Sequence, residues 1–437
     1  MESRTSGRPQ SPLQKIAEPP SRARSKRLDG KQSSAAAFVS FATTVEWLQN
    51  LYAVWHQLFR CAAGWLPAVP RLAHKFLLGR TLYQDAVQIT QLRRRLAEMQ
   101  CRQPDRSETE ILREFREKLS SAPSADAFLK LAAIELRQTL LAAIEQYRQQ
   151  TDAVLDWPSH YVLQHAALDL EEAILSFANG PSSPVALDDR AADWVAAVRE
   201  IAELALGLKK ERTHPPLANR DQWPAPPFLE SAREPGLALT PGKAVQKTAP
   251  PKSEPLAYER YEFMNHAFEL MFAESLASII YETPGMPWEF HANLARQTWD
   301  ELRHSEAGYR RCEQLGLPRG KVPQINSNYA FRQNLDPLHR FCLMTLISEA
   351  SGFPIKRERL KQYQASGNTE AERFMTFDLA DENIHVHFGH VWVPILMKQS
   401  GEAFSLDELK ERCKVFVQNS GYSFDEERFK KSPIFSA

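Results

Sequence analysis

The chain has 437 residues, 43% of them hydrophobic and 25% charged, which is enough for two or three domains with buried cores. Its 54 basic and 54 acidic residues give a formal net charge of zero, so composition provides no overall reason to expect binding to nucleic acid or to an anionic membrane. Glycine is scarce, with 17 residues, and alternating strand-like patterns are hard to find. We therefore predict an all-α protein.

Residues 1–34 are basic and rich in Ser and Pro, and they are predicted to form a disordered basic tail. The apolar stretch that follows, from Ala35 to Val45, is interrupted by Glu46 and is far shorter than the about 20 residues of a membrane span. No small-residue cleavage site follows it. The five cysteines are scattered without a CxxC pattern, which is typical of reduced thiols. We therefore expect a cytoplasmic protein without a membrane partner.

Residues 36–210 are predicted to form a helical domain, because apolar residues recur there at intervals of three and four. The periodic segments are 72–101, 108–119, 124–150, 158–178 and 188–207. A linker at 211–256 follows, which contains ten prolines and almost no periodic pattern. We expect this linker to be extended and poorly packed.

One pattern occurs twice after the linker: a lone Glu is followed about thirty residues later by a Glu-x-x-His pair. The two copies are Glu269 with Glu301-Leu-Arg-His304, and Glu349 with Glu382-Asn-Ile-His385. A Glu and a His three residues apart on a helix can reach metals on one face. A single pair of this kind means little, since the chain has 12 histidines and Glu211 with His214 forms a decoy. The decoy runs directly into Pro215, where a helix is disfavoured, and has no lone Glu about thirty residues upstream.

The order Glu, ExxH, Glu, ExxH fits four successive helices. Four-helix di-metal proteins take one Glu from each of two helices and an ExxH from each of the other two. The predicted helices span 257–282, 288–314, 335–352 and 369–398, with a long crossover before the third. We therefore predict a four-helix bundle at 257–398. A C-terminal extension at 399–437 would begin with a short amphipathic helix from Ser405 to Gln418.

Charge supports a metal in this bundle. Four carboxylates gathered in one interior would repel each other and lose hydration, at several kcal/mol per unpaired ion. Two divalent cations would neutralise all four. With His304 and His385 as neutral nitrogen donors, the mixed oxygen and nitrogen set suits iron or manganese better than zinc.

The segment Asp300-Glu-Leu-Arg-His304 resembles the DExRH helix of ferritin-like di-iron carboxylate proteins. More narrowly, Asp381-Glu-Asn-Ile-His-Val386, with Gly389 and Trp392 after it, is similar to a DExxHVxxGxxW pattern. That pattern is found in an uncharacterised bacterial ferritin-like family related to tRNA hydroxylases. Glu349-Ala-Ser-Gly352 matches the EAxG of its third helix. The resemblance covers residues 257–398.

The resemblance implies a role for each residue of the two copies. Two glutamates would bridge the metals, and each metal would be completed by one further Glu and one His. The bridging residues would be Glu301 and Glu382, with Glu269 and His304 on one metal and Glu349 and His385 on the other. Asp300 and Asp381 would accept the ring N–H of a ligand His on a neighbouring helix, and Arg303 could pair with one of them.

Four neighbouring residues have open roles. Glu274 points about 140° away from Glu269 around the helix, which favours a solvated or supporting role over ligation. His266, one turn before Glu269, is either a core or channel histidine or a further ligand. His387 and His390 lie mostly off the face of His385, which favours packed or interfacial histidines over residues that line substrate access.

The N-terminal domain leaves two interpretations open. Asp85 and Gln88 stand where a ferritin-like helix would carry its Glu-x-x-His pair. The domain is then either a degenerate, metal-free bundle or an unrelated helical domain.

The expected function is that of an O2-activating, non-haem di-iron oxidase or oxygenase. It would hydroxylate, desaturate or N-oxidise a small metabolite, with Glu301 and Glu382 as catalytic residues and two iron ions as cofactors, or manganese instead. The expected partners are O2, a small-molecule substrate and an electron donor, not a membrane, and nucleic acid is disfavoured; a homodimer stays open. The alternatives are a ferroxidase or iron-handling role, a non-enzymatic ferritin-like protein, and a tRNA nucleoside hydroxylase. A 437-residue chain is hard to fit into a ferritin shell.

Overall fold

The computed structural model describes residues 38–102, 104–106, 109–180, 186–215, 223–234, 237, 250–322 and 327–419. Within these ranges the protein is helical and contains no strand, so the predicted all-α class is confirmed. The predicted disordered tail at 1–34 and residues 420–437 of the predicted C-terminal extension lie outside the described residues. The C-terminal helix begins and ends within one residue of its predicted span, at Leu406–Asn419 (α15).

The N-terminal helical region contains seven α-helices and one π-helical turn in its described part. They are α1 (Phe41–Trp65), α2 (Leu72–Glu98), α3 (Glu110–Ser120), α4 (Ala125–Lys130), the π turn Leu131–Glu135, α5 (Leu136–Gln150), α6 (Trp157–Ala178) and α7 (Asp189–Ala205). Periodicity anticipated all of these except α1. Asp85 of α2 forms a buried bidentate ion pair with Arg137 of α5, with both distances 2.7 Å, and accepts a hydrogen bond from Trp55. An arginine therefore compensates the charge of the carboxylate at this position.

The C-terminal region contains the four predicted helices in altered form. They are α8 (Pro255–Ala267) with α9 (Leu270–Glu282), α10 (Trp288–Gln314), α12 (Pro337–Cys342) with the π turn Leu343–Glu349 and α13 (Ala350–Ser366), and α14 (Thr369–Ser400). A short helix α11 (Ser327–Arg332) precedes the third. The second and fourth spans agree with the prediction. The first is broken at residues 268–269, and the third contains a π turn.

The third helix also continues 14 residues beyond its predicted end at Gly352. Pro354 lies inside it, where a proline costs about 3 kcal/mol of helix stability. Phe353, Lys356 and Tyr363 are buried against the rest of the protein, and this packing offsets the local cost. The predicted end was wrong because tertiary contacts outweigh the local preference of proline.

The described residues from Phe38 to Asn419 form one compact unit by their contacts, and α2 packs along α10. Residues 223–234 of the Pro-rich segment contact the helices at a few positions, whereas residues 251–256 and most of 211–215 are exposed. Arg233 is buried against Glu274 of α9, and the Tyr329 hydroxyl donates a hydrogen bond to the carbonyl of Phe228. Within the described residues, no helix is long and apolar enough to cross a membrane.

Two glycines allow helices to approach closely beside the predicted ligands. A Cβ atom on Gly308 of α10 would lie 2.5 Å from the backbone nitrogen of Ala267, next to the break that carries Glu269. A Cβ atom on Gly389 of α14 would lie 2.5 Å from Oγ1 of Thr345 in the π turn. Both distances are too short for real contacts, so any larger residue must move a helix.

We expect Gly308→Ala to destabilise the protein by about 1–3 kcal/mol, because the added methyl group meets backbone atoms that cannot turn aside. The displaced chain carries Glu269, so the variant should also retain less metal. Chemical denaturation and metal analysis would test both effects. Gly320→Ala is the control, since a Cβ atom there meets nothing within 4 Å. Equal stability and metal content for the two variants would contradict the prediction.

Candidate metal centre

The six predicted ligands converge in the interior of the four-helix bundle. Among the described residues, the six lie in two groups of acidic and histidine side chains, and within each group the potential ligand atoms all lie within 4.8 Å of one another. The first group is Glu269, Glu301, His304 and Glu382, and the second is Glu301, Glu349 and His385. Glu301 belongs to both groups, as a bridging residue must. These buried Glu and His groups could hold metal ions.

Irregular backbone positions two of the six residues. Glu269 lies in the break between α8 and α9, and Glu349 is the last residue of the π turn. A π turn inserts one residue into a helix and is found frequently at functional sites. Here it rotates the register so that Glu349 faces the cluster while Leu346 and Ile347 remain buried. The other four residues come from regular turns of α10 and α14.

Several oxygen and nitrogen atoms of the cluster that could bind a metal are buried without a hydrogen-bond partner among the described residues. They are both carboxylate oxygens of Glu301, Oε2 of Glu269, Oε2 of Glu349, and Nδ1 of His304 and His385. An unsatisfied buried polar group costs about 1–3 kcal/mol, and more if it is charged. Lone pairs that converge without partners are what a metal ion requires, so these residues fit a dinuclear metal group.

Two aspartates orient the histidines across the bundle. Nε2 of His304 on α10 lies 3.2 Å from Asp381 on α14, and Nε2 of His385 on α14 lies 3.3 Å from Asp300 on α10. With Nε2–H donated to the aspartate, each Nδ1 faces the glutamates, 3.4 Å from Glu269 for His304 and 3.3 Å from Glu301 for His385. The predicted crosswise contacts are confirmed. They fix the tautomer that leaves Nδ1 free to bind a metal.

Two arginines balance these aspartates. Arg303 forms ion pairs with both Asp300 and Asp381, whereas one such pair was predicted. Arg296, which the sequence analysis missed, also contacts both, at 2.7 and 3.2 Å. The aspartates are therefore compensated by arginine and are less available to a metal than the glutamates.

Lys356 and Asp378 are the main site residues that sequence reasoning missed. Nζ of Lys356 lies 2.8 Å from Asp378 and 2.8 Å from Glu382, and 3.9 Å from Glu269. Burial alone would lower the pKa of this lysine, but the three carboxylates outweigh it and hold the pKa well above its usual value. Lys356 was missed because the third helix was predicted to end before it. Asp378 does stand one turn before Asp381 on α14, which could have identified it.

The formal charge of the interior matches two divalent ions. Seven carboxylates meet three basic side chains there, which leaves four negative charges when the histidines are neutral. The acids are Glu269, Asp300, Glu301, Glu349, Asp378, Asp381 and Glu382, and the bases are Arg296, Arg303 and Lys356. Such an excess would be strongly destabilising inside a protein without counterions.

Protons take part of this charge in the absence of metal. Burial raises the pKa of Glu349, and the neighbouring Glu382 and Glu301 raise it further, well above its usual range. Burial lowers the pKa of His385, but Glu349, Asp300 and Glu301 outweigh burial and raise it to about 10. Burial raises the pKa of Glu382 to about 7. A metal ion would replace these protons, since ligands bind in their deprotonated form.

Glu274 and His266, whose roles the sequence left open, both lie in the interior. Glu274 is fully buried and forms ion pairs with Lys75 and Arg233, so it is neither solvated nor part of a potential ligand group. Nδ1 of His266 lies 3.1 Å from Glu269, and the two form a further acidic and histidine group with Asp378.

The remaining histidines lie away from the cluster. His387 and His390 are exposed on the outer face of α14, so they are not packed in the interior, and an interfacial role stays a prediction. The decoy His214 is not in a helix and instead contacts Glu200 at 3.1 Å.

Comparison with known proteins gives one result. No curated protein and no solved structure matches the chain. The model of the family described as "Protein of unknown function (DUF455)" matches residues 189–431, a range that contains all six predicted ligands. Because the match covers more than half of the 437 residues, the chain belongs to this family.

Proposed function

We propose that the protein is a non-haem di-iron oxidase or oxygenase, built on a ferritin-like bundle related to that of tRNA hydroxylases. The observation that carries this proposal is a set of buried oxygen and nitrogen atoms, centred on Glu301, that have no hydrogen-bond partner among the described residues. They lie in an interior whose four formal negative charges two divalent ions would neutralise. Oxygen and nitrogen donors together favour iron, with manganese as the other candidate.

The ligands would divide between two metal positions that share Glu301. Glu269 and His304 would complete one position, and Glu349 with His385 the other. Glu382 reaches the first group and also accepts a hydrogen bond from Lys356. It can therefore exchange a contact with lysine for one with a metal. When bound, two iron ions supply the electrons that activate O2.

The protein around the cluster holds its ligands in place in a largely buried interior. Asp300 and Asp381 fix the imidazoles, and Gln297 donates a hydrogen bond of 2.8 Å to Glu349. Buried aromatic and aliphatic side chains surround these polar groups. Fixed ligands in a water-poor interior are the conditions under which a reactive oxidant is used on substrate rather than lost.

Metal analysis with anaerobic Fe(II) loading and O2 exposure tests the proposal. We expect about two ions per chain, the number that a bundle of this kind holds. We also expect O2 to be consumed when reductant and substrate are both present. At a metal concentration 100 times the Kd, the free energy of unfolding should rise by about 2.7 kcal/mol for each ion bound. A protein that binds no divalent metal would overturn the proposal, and a spherical assembly that mineralises iron would replace it with storage.

A further inference from the structure

A cavity of about 480 Å³ opens beside the metal centre, between α10 and α14. Its volume is in the range of small-molecule sites. Its floor is formed by the buried residues His304, Asp378 and Phe263, and exposed residues form its rim. Because His304 is one of the predicted ligands, the cavity leads from solvent to the side of the cluster. We propose that this cavity binds the substrate, and that the substrate is an anion with a flat apolar body.

The body of the cavity is apolar and aromatic. Phe374 packs against His304 at a ring-centroid distance of 6.2 Å and against Phe263 at 5.1 Å. Opposite these rings, Ala307 leaves space because its side chain is a single methyl group. Phe377 also lines the cavity, with its side chain 63% exposed. A flat apolar molecule in this slot would cover Phe377.

Two arginines at the rim are placed to bind a negative group. Helices α10 and α14 are antiparallel, since Asp300 contacts His385 while Arg311 contacts Glu370. This arrangement puts Arg310 of α10 and Arg373 of α14 at the same level, one on each side of the opening. Neither has an ion pair with any residue that the structure describes, and both are exposed.

The other charges of the lining do not cancel this pair. Arg303 and Arg311 are engaged with carboxylates, and so are Asp378 with Lys356 and Glu370 with Arg311. Only Glu306 remains opposed to the two rim arginines, which leaves a net positive opening. An anionic group bound there would form charge-assisted hydrogen bonds.

The helix geometry sets the length of the substrate. Arg310 follows His304 by six residues, which is about 9 Å along the helix axis. An anion held at the rim would therefore place the far end of a molecule about two fused rings long beside His304. The assignment of this cavity to the substrate rests on the proposed function, whereas its preference for flat anions does not.

The test uses the full chain and two probes of equal shape, 2-naphthoate and its neutral amide, in calorimetric titrations with and without bound metal. We expect naphthoate to bind about tenfold more tightly in both states, which is the difference that a charged hydrogen bond provides. The double variant Arg310→Gln/Arg373→Gln should lose this preference while its amide affinity and metal content stay unchanged. Ala307→Leu should weaken both probes, because it fills the slot.

The control is Arg94→Gln/Arg357→Gln, which removes the same net charge from exposed positions outside the cavity lining and should keep the preference. Equal affinity of the two probes, or a preference that survives in the Arg310/Arg373 variant, would overturn the inference. So would naphthoate binding that occurs only with metal, because the carboxylate would then bind the ions. Metal content is measured separately, so a protein that binds two ions but not naphthoate contradicts this inference alone. A protein that binds naphthoate but takes up no metal ions contradicts the di-iron function alone.

Discussion

Glu301→Gln is expected to abolish metal binding without loosening the fold. Glu301 is the residue shared by both potential ligand groups, and its two oxygens have no hydrogen-bond partner among the described residues. Loss of a residue that merely supports a ligand costs about 10–100-fold in metal affinity, so loss of the shared ligand should cost at least about 100-fold. The metal-free variant should be as stable as the parent or more so, because one buried negative charge is removed.

Metal analysis and thermal unfolding with and without Fe(II) would measure both effects. The control is Glu289→Gln, on an exposed position of the same helix, which should keep its metal and its metal-induced increase in Tm. A metal-free Glu301→Gln protein that is much less stable than the parent would show that Glu301 has a structural role instead. Retention of two ions per chain would contradict the proposed ligand set.

Lys356→Met is expected to destabilise the metal-free protein by about 3–5 kcal/mol, the usual cost of removing one partner from a buried ion pair. The variant leaves Asp378 and Glu382 without the ammonium group that lies 2.8 Å from each of them. The formal charge of the interior, counted with neutral histidines, would then be five negative charges instead of four. Divalent metal should consequently stabilise the variant more than it stabilises the parent.

Denaturant titrations of both proteins, metal-free and metal-loaded, would measure the difference. Lys361→Met provides a control on the same helix, since Lys361 is exposed and is expected to have little effect on stability. If metal stabilised the Lys356→Met variant and the parent by the same amount, the lysine and the metal would not compensate the same carboxylates. An unchanged metal-free stability would show that the ion pairs with Asp378 and Glu382 contribute little.

The regular helices of the site were predictable because their signals are local. Residues 288–314 and the start of α14 at Thr369 were predicted correctly from periodicity and breaks. Glu301, His304, Glu382 and His385 lie on these helices, and the three-residue spacing placed each pair on one face. The crosswise contacts of the flanking aspartates followed from the resemblance rather than from the spacing.

The irregular parts of the site were not predictable from local patterns. The break at Glu269 and the π turn that ends at Glu349 carry no turn residues that mark them in the sequence. Both lie beside positions, Gly308 and Gly389, where helices approach too closely for a Cβ atom. The third helix continues through Pro354 because tertiary contacts offset the cost of the proline. The sequence predicted its end at Gly352, so Lys356 was not identified.

The sequence by itself determined the helical class and the six residues that meet at the candidate metal centre. It could do so because helical periodicity and ligand spacing depend on residues within a few turns of each other. Only the tertiary structure decided which charges compensate which. The ion pairs of Lys356 with Asp378 and Glu382, of Arg137 with Asp85, and of Lys75 and Arg233 with Glu274 join residues from different elements. Ion pairs between residues far apart in the chain produce no periodic pattern in the sequence. They distinguish a carboxylate that is paired with a basic side chain, such as Glu274, from one that is not, such as Glu301.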